Sequence, residues 1–149
     1  MYLIENKQFI MKHYFTLLLA LILLSCTQND DKTFTGNTVL IGKWKLIEQL
    51  ADPGDGSGVF RPVSSNRILE FFSNGTVKSN GSLCYMSYEV GDESSGNFTS
   101  IDDNVYFDGE ITPNDCDYSG TKLYYSFEGE NLIISYLCIE GCGQKFKKI

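Results

Sequence analysis

The chain has 149 residues, 42% of them hydrophobic, with a formal net charge of −7, which fits one domain of ordinary size and excludes disorder throughout. Three Pro and 14 Gly stand beside 9 Tyr and 10 Phe, against one Trp and one His, a mixture of strand formers and turn formers that excludes a collagen-like repeat. The acidity disfavours nucleic acid and anionic lipid headgroups as partners, because both carry the same sign.

At the N-terminus, Met11-Lys12-His13 precedes an apolar run, YFTLLLALILL, followed at once by Ser25-Cys26. The run is too short to span a bilayer and has the layout of a secretory signal peptide. Leu23-Leu24-Ser25-Cys26 resembles a bacterial lipobox, in which the Cys becomes the new N-terminus and carries fatty-acyl chains of the palmitate kind. One acyl chain holds a protein marginally and two or three hold it stably, at about 0.8 kcal/mol per buried methylene. The resemblance implies a signal peptide over 1–25 and a lipid anchor on Cys26. The acidic pair Asp30-Asp31 is similar to export signals of surface-exposed lipoproteins, implying a lipid-anchored place on the bacterial outer membrane, facing outwards. Loss of residues 1–25 removes Lys7, Lys12, Glu5 and His13, leaving 10 basic and 18 acidic residues, a charge of −8.

Residues 26–37 are polar and aperiodic and read as a flexible tether, with the folded domain over 38–149. A single helical turn fits before Gly42. Residues 43–50 alternate, placing Trp44, Leu46 and Leu50 on one side and Lys43, Lys45 and Gln49 on the other, with Glu48 out of pattern. Residues 51–63 read as a long Gly-rich loop. Residues 67–72 and 76–78 are strands joined by Ser73-Asn74-Gly75, a strong hairpin signal. Further strands are expected at 85–90, 97–101 and 105–107. Residues 122–128 alternate with Leu123, Tyr125 and Phe127 on one face, and 132–138 and 144–148 complete eight or nine antiparallel strands. Short strands at this spacing predict an all-β meander closed into a barrel, or a sandwich.

Beyond Cys26, four Cys remain, and an even number in an exported chain reads as two disulfides with three connectivities open. Cys138 and Cys142 flank a short turn within disulfide reach, which leaves Cys84 with Cys116. The wide separation of Cys84 from Cys116 does not suit a zinc site.

Gly42-Lys43-Trp44 at the start of the first strand resembles the G-x-W signature of the lipocalins. With FSNGTV at 72–77, YSFEGENL at 125–132 and CIEGC at 138–142, residues 40–148 are similar to the lipocalin-like domains of bacterial lipoproteins. The resemblance implies a barrel with Trp44 across one end under a basic side chain, a role open to Lys145, Lys147 or Lys148. The family's Thr-Asp-Tyr turn is not matched; Asp117-Tyr118 is the nearest pair. The implied function is non-enzymatic binding of a small apolar ligand, lined by Trp44, Leu46, Phe71, Leu123, Tyr125, Phe127, Ile134 and Tyr136. The alternative is a solid-cored surface module that binds a protein or glycan through its loops, chiefly 52–63.

Chemistry is poorly provided for. Without His13 the mature chain has no His, which removes Ser-His-Asp and Cys-His systems and His-bound metals. Asp102, Asp103, Asp108, Glu128 and Glu130 all fall in or beside turns, where solvated carboxylates are usual. Asp115 to Gly120 begins like a calcium loop, but its twelfth place is Ser126. Gly54 to Gly58 lacks the Lys of a phosphate loop. The sequence leads to no catalytic, metal or cofactor site.

Overall fold

The computed structural model describes residues 36–149 apart from Asp103 and Val105. The stretch expected to be a signal peptide, Cys26, and residues 27–35 of the expected tether lie outside the described residues.

Nine antiparallel strands follow one turn of 3-10 helix over Thr38–Leu40. They are β1 Gly42–Ala51, β2 Arg61–Pro62, β3 Ile68–Phe71, β4 Thr76–Ser79, β5 Ser94–Ser100, β6 Gly109–Pro113, β7 Leu123–Glu128, β8 Asn131–Ser135 and β9 Cys142–Lys148. From β3 onward each strand pairs with the next, and β9 returns to β1, so eight strands close a barrel. The two-residue β2 pairs with β1 alone, beyond the end of β3, and lies outside the ring. Closure pairs the long edges that an open sheet leaves exposed.

The alternation expected of β1 holds up to Leu46, where a register shift against β9 between Leu46 and Glu48 marks a bulge. The bulge reverses the phase, so Gln49 reaches the buried Gln144 at 3.0 Å while Glu48 faces Lys145 at 3.4 Å. The out-of-pattern Glu48 is the sequence trace of this bulge, and Leu50, expected on the interior side, is only partly buried and stands outside the core cluster.

Two expected strands are loops. Residues 85–90 belong to an irregular segment over 80–93, where Ser82 and Ser87 hydroxyls accept from the Cys84 and Glu89 amides and divert the backbone from pairing. At Tyr106 and Phe107, the described residues of the strand expected over 105–107, both amides donate to the Asn104 side chain and the chain turns. The strand there is β6, GEITP, whose Gly109 has no room for a Cβ: one would lie 2.2 Å from the Tyr125 ring and from the Thr99 carbonyl. β8 stops at Ser135 rather than continuing to Cys138.

Inward residues from every strand of the ring form one core: Trp44 and Leu46, Leu69 and Phe71, Val77, Phe98, Ile111, Leu123 and Tyr125, Leu132 and Ile134, and Phe146. Leu40 joins it at one end and Leu83 and Tyr136 at the other, all at most 9% exposed.

Candidate recognition surface

The two ends of the barrel differ. At one, Trp44 donates from its indole to the Leu40 carbonyl at 2.8 Å, and the Lys148 ammonium lies 5.3 Å from its ring centroid. Lys148 also donates to the Val39 carbonyl at 2.5 Å, fixing the 3-10 turn over the barrel end. Of the three lysines open to the role, Lys148 fills it; Lys145 lies over Phe60 and pairs with Glu48 and Glu128. Those two carboxylates, Glu128 foremost through its hydrogen bond, raise the Lys145 pKa above the ordinary lysine value. The chain reaches the barrel at this end, where Asn37 caps the turn by accepting from the Val39 amide at 2.9 Å.

The opposite end is built from loops over 52–60, 63–67, 80–93, 114–122 and 136–141. Both disulfides lie here. Cys84–Cys116 joins the third loop to the fourth, with Cα atoms 5.4 Å apart, and Cys138–Cys142 closes the fifth, with Cα atoms 6.1 Å apart. The pairing is the one expected from the turn between Cys138 and Cys142.

Arg67 is buried beneath these loops, 0% exposed. It donates from Nη1 to the Ser87 carbonyl and from Nη2 to the Ser82 carbonyl, and Nη2 also lies 3.5 Å from the Tyr136 hydroxyl. That hydroxyl donates to Gln144 Oε1 at 2.7 Å, and Gln144 Nε2 donates to Ser87 at 2.7 Å. Burial pushes the Tyr136 phenol above its usual pKa, while Arg67 acts in the opposite sense. Among the described residues no carboxylate lies within ion-pair reach of Arg67, and its Nε has no partner. A guanidinium spanning two carbonyls of loop 80–93 is a latch that holds this loop, and Leu83 with it, on the end of the core.

Loop 52–60 has its own organiser. The Asp52 carboxylate accepts from the amides of Gly54, Asp55, Gly56 and Gly58 at 2.7 to 3.1 Å. These bonds, those from Gly54 and Gly58 foremost, hold its pKa below the ordinary value. The glycines at 54–58 are therefore an aspartate-centred turn.

The surface of this end is apolar and acidic. Of the ten exposed large hydrophobic residues among the described residues, seven are here: Val59, Tyr85, Tyr88, Val90, Tyr118, Leu137 and Ile139. Tyr118 is 83% exposed and Ile139 is 101% exposed. The five loops carry eight carboxylates, Asp52, Asp55, Glu89, Asp92, Glu93, Asp115, Asp117 and Glu140. Their two cations are Arg67, which is buried, and Lys122, paired with Glu110 at 2.8 Å. Arg61 lies beside them on β2. A crevice of about 330 Å³ runs between loops 80–93 and 114–122, walled by Tyr85, Val90, Glu89, Asp92, Glu93 and Asp115. A second of about 680 Å³, at the other end, lies beside Val39, Ile47 and Lys148.

The eight residues expected to line a ligand cavity all face the core. Trp44, Leu46, Phe71, Leu123, Tyr125, Ile134 and Tyr136 are buried members, and Phe127 packs against them partly exposed. They meet one another: the Phe71 ring centroid lies 5.1 Å from that of Phe98 and 6.5 Å from that of Tyr125, and Trp44 lies 5.9 Å from Phe127. Among the described residues no group of three or more His, Cys, Asp or Glu side chains converges as a metal site. Of the loop-end surface, sequence reasoning had picked out only 52–63. Loop 80–93 carries Tyr85 and Tyr88, which fall in the strand expected over 85–90, while Tyr118 falls in the calcium-like stretch from Asp115 to Gly120; the cysteines were the signal that these loops meet.

The fold defines a small closed antiparallel β-barrel with disulfide-stapled loops at one end. Compared with protein-family models, with curated proteins and with solved structures, the chain finds no match.

Proposed function

We propose that the chain is an exported bacterial lipoprotein, anchored through Cys26, whose lipocalin-like barrel is a non-enzymatic scaffold that presents its loop end to a macromolecular partner. One observation carries the reading. The inward positions of the ring are occupied by side chains packed on one another, whereas the exposed apolar residues are concentrated on the stapled loops of one end. Exposed apolar groups of this kind mark interaction sites, and loops held by a rigid frame lose little entropy on binding.

The anchor is supported by the position of Cys26 directly after the apolar run, and export by two disulfides. The lipocalin likeness is supported by Gly42-Lys43-Trp44 at the start of β1 and by the Lys148 ammonium over the Trp44 ring. The described chain enters through the Asn37-capped turn at the Trp44 end, opposite the loops. Replacing Cys26 with Ala is expected to release the protein, unlipidated, into the soluble fraction; persistent membrane attachment contradicts the anchor.

Binding of a small apolar ligand within the ring is the second reading, favoured by the closed eight-stranded barrel itself. It requires Phe71, Phe98 or Tyr125 to yield its place. Native mass spectrometry of the full chain, extracted gently from membranes, separates the two. The proposal expects the mass of the chain with its acyl groups. A stoichiometric apolar adduct that is lost on unfolding overturns it in favour of the ligand.

A further inference from the structure

Resting on the reading of the loop end as the recognition face, we infer that its partner is a polypeptide surface rich in Lys and Arg. Tyr85, Tyr88, Tyr118, Leu137 and Ile139 offer apolar area that water covers poorly, with Tyr the residue type most suited to anchor an interface at low entropic cost. Apolar area alone does not choose a partner; the charge around it does. Eight carboxylates stand on these loops, while the lysines of β1, β4 and β9 lie on the barrel wall or towards the Trp44 end. This field steers a cationic surface in and opposes an acidic one where like charges meet.

The same field excludes a second copy docked through this end, which would set acid against acid, and it repels an anionic bilayer. The crevice between loops 80–93 and 114–122 combines an aromatic wall, Tyr85, with four carboxylates, and fits a long cationic side chain whose methylenes pack while its charge is met. Cys84–Cys116 and the Arg67 latch hold both walls before any partner arrives.

The test uses the full lipidated chain in neutral detergent and three probes: an amphipathic peptide alternating Lys with Leu, its Glu and Leu counterpart, and a panel of neutral oligosaccharides. Binding is read by fluorescence anisotropy in low and high salt. The Lys peptide is expected to bind, less tightly as salt rises, and the Glu peptide not to bind. The triple variant Tyr85→Ser, Tyr88→Ser, Tyr118→Ser and the pair Asp92→Asn, Glu93→Gln are each expected to weaken it by about tenfold or more. Glu130→Gln, at the other end, is expected to leave it unchanged. Equal loss with Glu130→Gln, or no loss with the loop-end variants, overturns the inference by reducing the binding to general acidity. Binding of a neutral oligosaccharide that depends on the three tyrosines overturns the basic partner and keeps the loop end as the recognition face. No binding of any probe, together with an apolar adduct inside the barrel, overturns both.

Discussion

Replacing Arg67 with Met tests whether a buried cation holds the loop end together. The guanidinium makes two charge-assisted bonds to the Ser82 and Ser87 carbonyls, each worth about 1.5 to 3 kcal/mol. Met fills much of the same volume but donates nothing, so the Ser82 carbonyl faces an apolar side chain, while Ser87 keeps the Gln144 amide at 2.7 Å. Against the loss stands the desolvation of a cation that no longer has to be buried. The balance is a destabilisation of about 3 kcal/mol. With an unfolding entropy of about 2.1 cal/mol/K per residue over roughly 110 residues, the melting temperature should fall by about 10 to 15 °C. Thermal unfolding followed by circular dichroism measures the fall. Hydrogen exchange of the Cys84, Glu89 and Gly91 amides, all within loop 80–93, should accelerate well before that of β7 or β8. A fall of less than about 4 °C with unchanged exchange in this loop refutes the latch. Arg67→Lys should be nearly as damaging, because one ammonium cannot bridge both carbonyls as the planar fork does.

Three further predictions concern the frame. On the chain-entropy model, Cys84→Ser with Cys116→Ser should cost about 4 kcal/mol and Cys138→Ser with Cys142→Ser about 2, from loops with sequence separations of 32 and 4; a larger loss from the second pair in denaturant titrations contradicts that ranking. Trp44→Phe removes the indole bond to Leu40 and weakens the cation–π contact with Lys148, for about 2 kcal/mol in the same assay; a neutral result would show that the 3-10 turn is held by other contacts. The Asp52 carboxylate has a folded-state pKa below its ordinary 3.8. Its contribution is therefore complete above that value and is lost as pH falls through the lower folded value. Exchange of the Gly54, Gly56 and Gly58 amides, corrected for intrinsic rates, should rise in the wild type only as pH falls below the ordinary 3.8 and through the lower folded value. In Asp52→Asn the same amides should show no such acid step.

Much of the barrel is legible in the sequence wherever a local rule decides. Asn74-Gly75 sets the β3–β4 hairpin, where Gly75 has φ +82°. The alternation of Leu123, Tyr125 and Phe127 sets the inward face of β7, and the spacing of Cys138 from Cys142 sets a disulfide. The losses come where a distant partner decides. β6 hides behind Gly109 and Pro113, because its first residue must be small to lie under the Tyr125 ring. Residues 85–90 alternate as a strand does, yet Arg67 and the serine hydroxyls hold their backbone groups in a loop. Simple alternation points Gln49 outward, and the bulge beside Glu48 turns it towards Gln144. The loop-end surface was hidden for the same reason: Tyr85 and Tyr88 fall in a segment that alternates as a strand does, yet they are exposed in the loop that Arg67 and Cys84–Cys116 hold.

The central claim, that recognition takes place at the loop end, is tested most directly by placing a photo-crosslinking amino acid at three positions of the full chain in the producing cell. Tyr118 is at the loop end, Tyr106 is similarly exposed at the opposite end, and Phe98 lies in the core. The account predicts a discrete, reproducible protein adduct from position 118 that disappears when Tyr85 and Tyr88 are replaced by Ser, with none from 106 or 98. Adducts of equal yield from 106, or a small-molecule adduct from 98 alone, would contradict it.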